Sequence, residues 1–262
     1  TAGSTSATTA GSTTAGSAPA GSAINWINLG HATSVEIEAL ANTTQPTDIF
    51  ELKTVDPLDA SFTKIFYGGV ANWVKLMPGM EKAAAFLETH RCAALLGASM
   101  AFTKMEGTTV NIADKIAYSA LANIQDSMIT NGKGWSAAGN IGFAKALKAG
   151  GVLAHKLGGG LKDQTGAAIA SEWMPTSSQM VLLGEDITAD ATGNTAAVDK
   201  IASPDNLKFS EKMRTLFIGE DSGNHVNNYL WAYNVDTKTL SRIMSTPAGA
   251  EATGLHAVDE IN

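Results

Sequence analysis

Two Gly-Glu-Asp triplets, Gly184–Asp186 and Gly219–Asp221, each follow an apolar run, "MVLL" and "TLFI", so each pair of acids is expected at the exit of a strand. Carboxylate and amide oxygens are the ligands that hard cations such as Ca²⁺ take. The second triplet continues into Asn224, Asn227 and Asn228, whereas the first is followed only by Asn194, which makes Glu220 and Asp221 the better candidates for a cation site. A solvated acidic turn is the competing reading of both copies. "SPDNLKFS" sets Asp205 and Asn206 ahead of a strand, where they either close an Asx-turn on their own backbone or contact a metal or substrate. "KMEG" places Glu106 between an apolar run and "TTVNI", a position where a lone glutamate commonly faces water.

Other chemistries find little support. The five histidines show no HxH or HxxxH spacing, so a zinc site of the usual nitrogen and sulfur type is not indicated. No GxSxG, Walker-type or dinucleotide motif occurs, and "LGGGLKDQTG" lacks both the spacing and the following helix. The single cysteine, Cys92, sits in an apolar run and is expected to be packed. A net charge of -7 without any basic run argues against nucleic acid and anionic membrane surfaces as partners. No apolar run reaches the roughly 18 residues needed to span a bilayer.

The elements that would position these side chains are mostly strands. Residues 1–23, nearly all Thr, Ala, Gly and Ser, read as a low-complexity linker with nothing to bury against its ordering entropy, leaving 24–262 as the folded domain. Thr33 or Ser34 can cap a short helix, with Glu36 placed for a capping box, and Pro78 to Thr89 reads as a second helix. Beyond it, short β-like runs alternate with turn residues. Val110 to Tyr118 reads as a hairpin turning at Asp114 and Lys115, and Arg214–Ile218, Tyr229–Val235 and Leu240–Met244 as consecutive strands of a meander. Ala122 to Gly150 reads as loop with some helix. The fold class is therefore mainly β with short helices, built of antiparallel meander blades as in part of a β-propeller.

Several separate stretches resemble the later part of bacterial PhoX-type alkaline phosphatases: "INWINLGHATSVEIEA", "MPGMEKAAAFLETHRCAALLGASMAFTKMEG", "SEWMPTS", "ASPDNLKFSEKMRTLFIGEDSG" and "NNYLWAYNVDTKTLSRIMSTPAGAEATG". The resemblance implies a periplasmic or extracellular β-propeller whose calcium and iron ions bind phosphate monoesters. It implies that Glu106 and Glu220 bridge metals and serve catalysis, and that the first Gly-Glu-Asp copy has no such role. Cys92 does not fall on the ligating cysteine of that family. The resemblance also implies further family regions before and after this stretch, so the chain reads as a fragment whose open sheet edges could pair with a second copy. The alternative is a non-catalytic secreted binding or self-assembling structural protein that keeps the blades without the metals.

Overall fold

The computed structural model describes residues 2–6, 22–67, 69–99, 102–137 and 141–259. Strands β1 (Ala2–Ser6) and β2 (Ser22–Ile27) precede helices α1 (Ser34–Thr43) and α2 (Pro46–Ile49). Strands β3 (Phe50–Lys53), β4 (Thr63–Tyr67) and β5 (Val70–Leu76) lead into helices α3 (Glu81–Leu87) and α4 (Thr89–Leu95). Eight strands follow: β6 (Met105–Asn111), β7 (Ile116–Leu121), β8 (Gly151–Gly158), β9 (Met174–Leu183), β10 (Pro204–Ser210), β11 (Thr215–Glu220), β12 (Asn227–Asn234) and β13 (Thr239–Ala248). The chain is thus mainly β with short helices, and every strand pairing is antiparallel. No described helix is long and apolar enough to cross a membrane.

The sheets are ordered β1-β2-β9-β8-β7-β6, β10-β11-β12-β13 and β3-β5-β4. Two four-stranded meanders stand out, β6 to β9 and β10 to β13. They pack face to face through one apolar face of each, while β8 is buried on both faces, with Val152 and Ala154 turned toward the second meander and Leu153 toward a separate cluster with Leu121, Ile124 and Met128. Tyr118, Ala120, Val152 and Ala154 of the first meet Leu207, Phe209, Leu216, Ile218, Tyr229, Trp231 and Tyr233 of the second in one buried cluster. The meander expected at 214–244 is present, with β10 as a fourth strand, and the hairpin expected at 110–118 is β6–β7.

Local signals are realised where they are short-range. Thr33 caps α1 and Glu36 completes the capping box. The helix expected over 78–89 is α3, ending at Leu87, and a further helix, α4, follows directly after Glu88. In the stretch 122–150 the regular element described is a 3-10 turn, Asp126–Met128. Most of the segment expected as a linker lies outside the described residues, while Ala2–Ser6 pairs with β2 as a strand.

Three hairpin turns share one design that the sequence reading does not separate out. Asn111, Ser210 and Asn234 each accept a bond from the backbone N–H three residues on, at Asp114 (2.9 Å), Met213 (3.1 Å) and Thr237 (2.9 Å). Each turn then closes on a basic residue in the left-handed region: Lys115 (φ 53°), Arg214 (φ 53°) and Lys238 (φ 61°). Arg214 ties the turns together, with Nη2 at 2.6 Å from Asp114 and 2.9 Å from Asp236.

Candidate cation site

The pleat at the end of β11 sends the two acids of the second Gly-Glu-Asp triplet to opposite sides. Leu216, Ile218 and Glu220 point inward and are buried, while Asp221, one residue further, is exposed. Gly219 between them is required by contact, since a Cβ there would lie 1.8 Å from the carbonyl oxygen of Ala252. That carbonyl belongs to the segment after β13, which crosses the strand end and donates Ala252 N–H to the Glu220 carbonyl at 2.8 Å.

Inside, Glu220 is surrounded by donors. Its Oε1 accepts from Ala202 N (2.8 Å) and Trp231 Nε1 (2.7 Å), and its Oε2 accepts from Tyr229 N (3.0 Å) and meets His225 Nδ1 (3.0 Å). A carboxylate offers about four lone-pair positions, and all are taken here by protein. As the structure stands, both oxygens of Glu220, the residue implied to bridge metals, are engaged by protein donors, and the side chain links β11, β12 and the 221–228 loop to one another. His225 Nε2 reaches the Ala197 carbonyl at 3.3 Å, and its ring lies 4.9 Å from that of Tyr229.

The amides that distinguished the second triplet are spent on the same bracing. Asn224 Oδ1 accepts from Thr195 Oγ1 at 3.1 Å, Asn227 Nδ2 donates to Thr246 O at 2.8 Å, and Asn228 Oδ1 accepts from Ser222 N at 3.0 Å. They hold the loop rather than face a cation.

Outside, the other expected residues come together. β6 passes close to β10 at Gly107, where a Cβ would sit 2.5 Å from the Asp205 carbonyl oxygen. This brings Glu106, Asp205 and Asp221, from three different strand ends, into one acidic group. Asp205 and Asn206 are not the Asx-turn of the competing reading. They lie within β10 at a bulge between Pro204 and Leu207, where the ladder skips and both side chains are half-buried. Asn206 donates to Asp205 Oδ1 at 2.7 Å and accepts from Gly254 N.

The charges of this group act on one another. Burial pushes the Asp205 carboxyl above its ordinary range, reinforced by the charges of Glu106 and Asp221 and partly offset by Lys104. Lys104, itself in the left-handed region (φ 48°), places Nζ 2.6 Å from Glu106 Oε1, and that bond together with Asp205 and Asp221 raises its ammonium. Lys104 and Glu251 are the two charged members that sequence reasoning missed. Lys104 stands in the quoted "KMEG", and its neighbouring charge was the available signal. Glu251 has no signal, because only the docking of Ala252 on β11 brings it near.

Elsewhere the acids are committed to structure. In the first triplet Asp186 accepts from Lys148 N and Ala149 N at 2.9 and 2.8 Å, and Glu185 pairs with Lys200. Among the described residues, no three His, Cys, Asp or Glu side chains are close enough together to hold a metal ion as they stand. The outer group supplies only oxygen donors, which is the chemistry of calcium. Iron, implied by the resemblance, gains no nitrogen or sulfur donor there, since His225 faces Glu220 and Cys92 is buried with α3 and α4.

No family model matches the sequence. No curated protein matches it either. A solved structure, Pseudomonas fluorescens PhoX in complex with vanadate, a transition state analogue, superposes with a TM-score of 0.46 at 16% identity, over 77% of this chain and 36% of that one. The chain therefore spans about a third of the length of that protein. At this distance the fold stands on the strand pairing described above.

Proposed function

We propose that the chain is part of a cation-dependent phosphomonoesterase, with Glu106, Asp205 and Asp221 as its cation-binding carboxylates. The observation that supports this reading is the convergence of these three acids, between 16 and 115 positions apart in sequence, around a half-buried Asp205 that is held against its ionisation. A divalent cation there would relieve the repulsion and offer positive charge to phosphoryl oxygens. Lys104 stands beside the group as a further cation for an anionic substrate. Glu220 takes a positioning role, fixing the strand end from which Asp221 projects. Calcium is the metal this oxygen set fits, Asn206 is a neutral oxygen donor at its margin, and a periplasmic or extracellular location follows only from the family resemblance.

The test is hydrolysis of a chromogenic phosphate monoester with added calcium, with chelator, and with Glu106→Gln. Activity lost in chelator, restored by calcium and reduced in the variant supports the proposal. Activity indifferent to all three overturns it.

A second reading is favoured by the saturation of Glu220: a non-catalytic binding or self-assembling protein. Metal analysis and light scattering separate the two, since this reading expects no bound metal and a regular oligomer formed through open sheet edges.

A further inference from the structure

The sheet β3-β5-β4 has two faces of opposite character. Phe50, Ile65 and Val74 are buried on the inner face with Ala83, Ala84, Ala85 and Cys92 of α3 and α4. Because side chains alternate along a strand, Lys53, Lys64, Phe66, Trp73 and Lys75 share the other face. Trp73 lies between two lysines, paired with Lys53 on one neighbouring strand and Lys64 on the other. Lys64 Nζ stands 5.2 Å from the Trp73 ring centroid and 5.7 Å from that of Phe66. Lys53 and Lys75 stand 6.0 and 5.7 Å from the ring of Phe62. Phe62, Phe66 and Trp73 are half-buried, and the backbone at Gly134 packs against the ring of Phe66.

The charge of this face is the reverse of the rest of the chain. Its carboxylates are Glu51, 3.0 Å from Lys53, and Asp59, within electrostatic reach of Lys75. Lys64 has no carboxylate in ion-pair contact among the described residues and is held by rings alone. Lys133 adds an ammonium at the β4–β5 turn, where a Cβ on Gly69 would lie 3.3 Å from its Nζ.

We propose that this face binds single-stranded nucleic acid, with phosphates on Lys53, Lys64 and Lys75 and bases against Phe62, Phe66 and Trp73. A linear polyanion with a flat aromatic group on each unit is complementary to lysines interleaved with rings. The sequence-based argument against nucleic acid rests on the absence of a basic run. Here the lysines come one from each of three strands, and only sheet pairing gathers them. The negative charge elsewhere on the chain, -7 overall, confines a polyanion to this one face and limits the number of phosphates engaged.

The experiment is fluorescence anisotropy of a labelled short oligothymidylate. Neutralising three to four phosphates predicts a salt slope of roughly -2 to -3, a loss of affinity of about 20- to 50-fold between 50 and 200 mM salt. Binding should be lost in Lys53→Gln/Lys64→Gln/Lys75→Gln and weakened in Phe66→Leu/Trp73→Leu, with circular dichroism and thermal melting confirming that both variants fold. Because the lysine substitutions are on an open face, the first variant keeps the test decisive if the second unfolds. No binding at 50 mM salt, equal binding by the lysine variant, or equal binding of polyglutamate and oligothymidylate by the native chain would each overturn the proposal.

Discussion

Trp231 Nε1 donates to Glu220 Oε1 at 2.7 Å on the buried face of the β10–β13 sheet, at the end of β11, so an acid and an aromatic from adjacent strands form one unit. Glu220→Gln keeps the shape but replaces one acceptor oxygen by a donor, which must then face an N–H. Loss of a buried charge-assisted network of this kind costs about 3 kcal/mol. We expect that much destabilisation in denaturant unfolding, and weaker calcium binding by the folded variant, because the strand end from which Asp221 projects is less firmly held. A variant as stable as the native chain would show that the donors have other partners.

Asp205 makes the opposite prediction. Its folded pKa is raised, so between its ordinary value and the folded one the native state holds more protons than the unfolded state, and stability falls as pH rises through that window. At neutral pH Asp205 is therefore a cost in the absence of a cation. Asp205→Asn should melt higher than the native chain in chelator, and should lose the stabilisation that calcium gives the native chain, which is about 2.7 kcal/mol at a hundredfold excess over Kd. Equal calcium stabilisation in both proteins would remove Asp205 from the site.

What was legible in the sequence divides along range. The capping box of α1 depends on Thr33 and Glu36, three residues apart, and the β6–β7 and β12–β13 turns on short runs of turn residues, so residue order alone reveals them, though not the side-chain bond that closes each turn. The partners of Glu220 come from Ala202, His225, Tyr229 and Trp231, and only strand register brings these to one place. The triplet Gly-Glu-Asp reads as a pair of equivalent acids, yet the pleat buries one and exposes the other. Glu106, Asp205 and Asp221 were nameable as separate candidates, and their meeting depends on the close approach of β6 to β10 at Gly107.

His155 supplies a test of the other large sheet. Its ring lies between Ser178 on Nδ1 and Ser119 on Nε2 (3.0 Å), with Phe102 edge-on at 6.2 Å, and burial lowers its pKa from 6.5 to about 4. In that window the unfolded chain takes up a proton that the folded chain refuses, so stability is full above pH 6.5 and declines as pH falls toward 4. The decline should total about 3 kcal/mol, at roughly 1.4 kcal/mol per pH unit. Unfolding measured across this range should show the slope in the native chain and a reduced one in His155→Gln. Identical slopes would place the ring in water.

The recurrent turn also marks an engineering handle. A side chain in the left-handed region costs about 1 kcal/mol that glycine does not incur, partly offset by glycine's freedom in the unfolded chain. Of the three basic residues there, Arg214 is tied to Asp114 and Asp236, and Lys115 lies 5.1 Å from the ring of Trp173, so replacing either removes a contact as well. Lys238 has no ion pair or ring contact among the described residues, and its charge acts on Asp236 only through space. Lys238→Gly should raise unfolding stability by about 0.5 kcal/mol, and no gain would mean that the lysine is already at ease in its turn. The β12–β13 turn is thus a place where the scaffold could be hardened without touching either proposed surface.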